Sequence, residues 1–133
     1  MDADVQVREV VAMAVTSRSS GTQREVDVTL TARLSDGQEV PLLTGRGFSS
    51  WMTGGELPDP GDADLEDCAW VVGPDEAFGS HTPEDMAKHH WASIADTLRA
   101  HGVAADPASL MRAPFRVVWG SQTRVWPQGF PWS

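Results

Sequence analysis

Hydrophobic and polar residues alternate most cleanly at residues 24–34. Val26, Val28, Leu30, Ala32 and Leu34 fall on one side, and Glu25, Asp27, Thr29, Thr31 and Arg33 on the other. A period of two with one wet face predicts a strand of an antiparallel sheet. Residues 5–17 predict another strand. Val5, Val7, Val11, Met13 and Val15 share one parity, and Glu9 breaks the line. Two readings of Glu9 are open. A β-bulge near Val10 and Val11 shifts the register, which is the simpler one. Otherwise Glu9 points into the sheet face as a partnered carboxylate, where burial would raise its pKa and make it a general-base candidate. Ser35-Asp36-Gly37-Gln38 carries the Asp-Gly pair favoured in hairpin turns and leads into a third strand at 39–48. Pro41 lacks the donor of a central ladder, so that strand is expected at an edge or locally bent. Residues 65–72 read as a fourth strand, ending at Gly73-Pro74.

The period then changes. Thr82 suits an N-cap, Pro83 the first helical position, and Glu84 and Asp85 the positive end of the dipole. Met86, Ala87, His90, Trp91, Ile94, Ala95 and Leu98 form an apolar stripe at helical spacing, and Gly102 gives the stop. Asp106-Pro107 starts a short helical turn to about Met111, and residues 112–119 and 123–126 form a final hairpin. The expected order is ββββ-α-ββ: an α+β fold in which a curved antiparallel sheet packs against one long helix. The 133 residues fit a single domain with a loop at 52–67 and a Pro/Trp-rich tail at 127–133.

Composition sharpens this picture. Six Trp and no Tyr leave Trp to carry most of the aromatic bulk. Cys68 is the only cysteine, so no internal disulfide forms, and its apolar neighbours predict a small buried hydrophobe. The N-terminal stretch begins with Asp2 and Asp4, unlike a secretory signal, and no run approaches the roughly 20 apolar residues of a membrane span. A cytoplasmic location is the expectation. Nine Arg against one Lys, with abundant Ala and Gly, points to a GC-rich bacterial source.

Charge is unevenly placed. The net charge is −9, and residues 51–80 account for −8 of it: Glu56, Asp59, Asp62, Asp64, Glu66, Asp67, Asp75 and Glu76, with no Lys or Arg. Nucleic acid is disfavoured as a ligand, because phosphate neutralisation needs clustered cations. Three readings of the segment stand: a solvated loop, an acidic face for a basic partner, or a cation site. An EF-hand fails, since Asp67 and Gly73 stand where Gly and Glu are needed.

Catalytic signals are weak, and no cofactor or metal is expected. His81, Asp85 and His89 are spaced by four, yet zinc needs a third ligand from elsewhere, and a solvent-facing Asp–His pair is the simpler reading. No serine lies in a Gly-x-Ser-x-Gly elbow, and Gly45-Arg46-Gly47 completes no phosphate loop. The tail Trp126-Pro-Gln-Gly-Phe-Pro-Trp132 is either a lid over the core or an exposed interface. Three functions follow. The first is a non-catalytic, immunity-type or regulatory domain that binds a basic protein through Trp51, Glu56, Asp59, Asp62, Asp64, Glu66 and Asp67. The second is a small enzyme or small-molecule binder with a pocket between sheet and helix, lined by Glu9, Arg46, His90 and Trp91. The third is a component that self-associates through the tail or an edge strand.

Overall fold

The computed structural model describes residues 5–52 and 57–132, so Glu56 lies outside the described residues. The elements are β1 (Val7–Ser19), β2 (Gln23–Leu34), β3 (Glu39–Trp51), α1 (Asp62–Val71), α2 (Pro83–Ala100), α3 (Pro107–Arg112), β4 (Phe115–Trp119) and β5 (Gln122–Trp126). The fold is α+β. The strands form one five-stranded sheet in the order β3-β2-β1-β4-β5. Its pairs are antiparallel except β1 with β4, which run parallel. In place of a curved antiparallel sheet with one helix, the chain has a mixed sheet with three helices. The parallel pair arises because the chain leaves β3, passes through all three helices and returns beside β1.

The predicted strand at 65–72 is a correction: these residues belong to α1 and its C-cap. The buried residues Leu65, Cys68, Ala69 and Val72 follow the i, i+3, i+4, i+7 spacing of a helix. A short apolar run cannot distinguish strand from helix by periodicity alone. The polar start decides it, because Asp64 Oδ2 accepts from Gly61 N at 2.9 Å and closes the first turn. The acidic loop expected at 52–67 is thereby shortened. Asp62, Asp64, Glu66 and Asp67 stand on a helix, and Trp51 ends β3.

α2 forms as its caps predict. Thr82 Oγ1 accepts from Asp85 N at 3.1 Å, and Asp85 Oδ2 accepts from Thr82 N at 3.2 Å. Its stripe of Trp91, Ile94, Ala95 and Leu98 is buried. It shares one core with Val26, Val28, Leu30 and Ala32 of β2 and Val10, Ala12 and Ala14 of β1. The parity of β1 is therefore the reverse of the apolar line read from the sequence. Val11, Met13 and Val15 point to the face without helices, while the alanines leave room for larger side chains on the helical side. Register shifts lie between Val7 and Glu9 and between Thr16 and Arg18, on either side of the bulge expected near Val10 and Val11.

The C-terminal tail completes the core. Phe130 and Trp132 are buried, and Trp132 Nε1 donates to Ala69 O at 2.8 Å. The Trp132 ring lies 4.9 Å from Trp91 and 4.8 Å from Phe115, centroid to centroid. Gly73 is required at this joint, since a β-carbon there would overlap Cδ1 of Trp132. Among the described residues, no helix is long and apolar enough to cross a membrane.

Candidate functional site

α1 presents one face to the core and the opposite face to solvent. The inward residues at 65, 68, 69 and 72 leave Ala63, Glu66, Asp67 and Trp70 to the outer side, again at helical spacing. Asp62 and Asp64 occupy the first turn, where the helix dipole favours negative charge. Glu66 accepts from Arg124 of β5 at 3.1 Å. Among the described residues, no cation pairs with Asp67. Partial burial raises its pKa, and the neighbouring carboxylates of Asp64 and Glu66 raise it further. One turn on, Trp70 is 50% exposed and rests edge-to-face on Phe130 at 4.9 Å.

Trp51 and the approach to α1 share one end of the sheet. Met52 N donates to Thr22 O at 2.9 Å and Leu57 N to Gly21 O at 3.0 Å, so both sides of 53–56 are tied to the β1–β2 turn. Arg24 donates to Pro58 O at 3.2 Å while its guanidinium lies over Trp119. Trp51 is 71% exposed there, beside exposed Met52, and Asp59 is exposed as well.

Of the residues expected to line an internal pocket, the structure brings together Arg46, His90 and Trp91. Glu9 lies on the opposite face of the sheet. Arg46 donates to Asp75 Oδ1 at 2.8 Å and to Val71 O at 3.5 Å, setting a cation at the C-terminal end of α1. Burial lowers the pKa of the adjacent His90 to about 4, and the Arg46 charge pushes the same way. The His90 Nε2 and Trp91 Nε1 atoms are buried without a partner in the described structure. Trp91, Phe115, Leu30, Ile94 and Leu98 fill the space between sheet and helices.

Glu9 is held between two arginines. Arg33 donates to its Oε1 at 2.9 Å, and Arg116 lies 3.4 Å from its Oε2. With Glu39 3.4 Å from Arg33, the charges alternate across four strands as Glu39–Arg33–Glu9–Arg116. Arg8 joins this row at the rim of a cleft of about 470 Å³.

Cys68 is fully buried, and burial pushes its thiol up to about 12, so almost no thiolate forms at neutral pH. His81, Asp85 and His89 line a groove on the outer side of α2, where Asp85 is engaged by the Thr82 cap. Among the described residues, no three His, Cys, Asp or Glu side chains gather as metal ligands. Trp70 and Arg124 are additions that the sequence pattern did not single out, and Asp75, counted there only among the acids of 51–80, gains a role as the partner of Arg46. Helical spacing from Leu65 would have found Trp70, whereas the long-range partners of Arg46 and Glu66 have no local signal. No protein family model, no curated protein and no solved structure matches this chain.

Proposed function

We propose that this chain is a non-catalytic protein-binding domain whose acidic α1 face recognises a basic protein partner. Support comes from the way α1 holds its acids. Residues that could have been dispersed along a solvated loop are fixed on one ordered helix. Partial burial raises the pKa of Asp67, and the carboxylates of Asp64 and Glu66 repel its charge and raise it further. A cation brought to this face relieves that repulsion, so complementarity contributes to affinity as well as to steering. Half-exposed Trp70 supplies an aromatic anchor beside the charges, the residue type most often dominant in interface energetics. Asp59 extends the surface toward the end of the sheet, whereas Trp51, paired with Gln23, lies on the sheet face away from α1.

An immunity-type or regulatory protein in the cytoplasm of a GC-rich bacterium would use such a face to cover a basic protein. The experiment is affinity capture from a lysate of the source cells, with immobilised wild-type chain and with the D62N/E66Q/D67N variant. Basic proteins are expected on the wild type, released by salt and absent from the variant. Equal capture by both chains would remove the electrostatic reading.

A further inference from the structure

β1 is apolar on both faces, the composition of a strand that is covered on both sides. Helices cover one face. On the other, Val11, Met13 and Val15 of β1 lie beside Val118 of β4 and Val125 of β5, with Thr29 and Thr31 of β2 on the opposite flank. Met13 is 48%, Val15 61% and Val125 43% exposed. Asp27 stands beside Val15 at one end, and Arg116 stands between Val11 and Val125 at the other. Between these charges Val11, Met13, Val15 and Val118 form a continuous strip rather than scattered apolar positions.

We propose that this open face is the interface of a symmetric homodimer, its occupant a second copy of the same face. Size supports it. The three long strands of 12–13 residues cover about 14 Å by about 42 Å, and the β4–β5 hairpin adds about 10 Å by about 17 Å. Roughly 750 Å² per copy approaches the ~800 Å² that a standard stable interface buries on each partner.

Charge supports it more specifically. At one end of the strip stand Glu9, Arg33, Glu39, Arg116 and Arg8, with a formal sum of +1. At the other stand Arg18, Glu25 and Asp27, with a sum of −1. The face as a whole is neutral, on a chain of net charge −9 whose α1 acids Asp62, Asp64, Glu66 and Asp67 lie in the helical layer on the other side of the sheet. Two copies meeting through this face keep their acidic helices outward and apart. A two-fold axis lying between the sheets, running across the strands near Met13, sets the positive end of each copy over the negative end of its partner. Such an interface is isologous and closed, with sheets about 10 Å apart as in a sandwich.

The test is the solution mass by analytical ultracentrifugation from micromolar to millimolar protein. Wild type is expected at twice the 14.4 kDa of the chain. Met13→Glu and, on a different strand, Val125→Glu are expected to raise the dissociation constant at least about a hundredfold, since the first sets like charges against each other near the axis and the second buries an unpaired carboxylate. Circular dichroism checks that both variants fold. Arg8→Glu and Asp27→Arg each weaken the dimer, and combined they restore it. A wild-type monomer at every concentration would overturn the proposal, as would a dimer that survives both glutamates. Failure of the charge-swapped pair to recover would overturn the two-fold arrangement. The D62N/E66Q/D67N variant leaves the mass unchanged, so this outcome is separate from recognition by α1.

Discussion

Replacing Gly73 with Ala tests whether the C-terminal tail is a working part of the core. Gly73 is buried and has no positive φ, so alanine suits its backbone. On backbone grounds alone the change would stabilise the protein by about 0.4–1 kcal/mol, by restricting the unfolded chain. The Trp132 ring opposes this, because it occupies the space a β-carbon needs. The ring has little freedom to move, wedged against Trp91, Phe115 and Phe130 and bonded to Ala69 O. Overpacking of this kind costs about 1–3 kcal/mol. The difference leaves a net loss of about 1–2 kcal/mol, a fall in Tm of roughly 4–7 °C for a chain of this length. Trp132→Leu alone costs on the order of 3 kcal/mol from lost contacts and the lost hydrogen bond. In that background Gly73→Ala is expected to be neutral or stabilising, a coupling of about 1–2 kcal/mol. Thermal and urea melts of the four proteins measure the cycle. An alanine variant as stable as wild type, or an equal cost in both backgrounds, would refute the role given to the tail.

Three further outcomes are expected. His90 is neutral in the folded protein down to about pH 4, against an ordinary value of 6.5, so between these values the unfolded chain binds the extra proton. The stability tied to neutral His90 is complete above pH 6.5 and is lost as pH falls toward 4; urea titrations of His90→Gln should show a shallower decline over that window, and an identical decline would count against it. Glu9→Gln removes the shared partner of Arg33 and Arg116 and should cost about 1–2 kcal/mol by chemical denaturation, reduced in high salt; no change at low salt would show the ion row to be inert. Cys68 should react with a thiol reagent only as fast as the protein opens, its rate following denaturant, whereas labelling at the speed of a free thiol would contradict its burial.

Local signals were legible and distant ones were not. β2 was visible because its alternation is uninterrupted, and α2 because Thr82, Pro83, Asp85 and Gly102 mark both ends. α1 was hidden by its eight apolar-rich residues at 65–72, in which Cys68, Trp70 and Val72 mimic a strand parity. β1 misled for a related reason: both of its faces are apolar, so alternation could not say which one meets the helices. The parallel β1–β4 pair depends on a path through three helices, which no local pattern encodes. The same holds for the site. The sequence showed the acids of 59–67 but assigned them to a loop, and with the helix missed, Trp70 went unnoticed beside them. Joining Gly73 to Trp132, or Arg46 to Asp75, needs the assembled fold.

Recognition of a basic partner through α1 is tested most directly by the salt dependence of binding. The captured partner is titrated calorimetrically into wild type and into D62N/E66Q/D67N over a range of salt. Wild-type affinity should fall steeply as salt rises, and the variant should bind weakly with a much flatter dependence. Equal affinity and an equal salt slope for the two proteins would contradict the account.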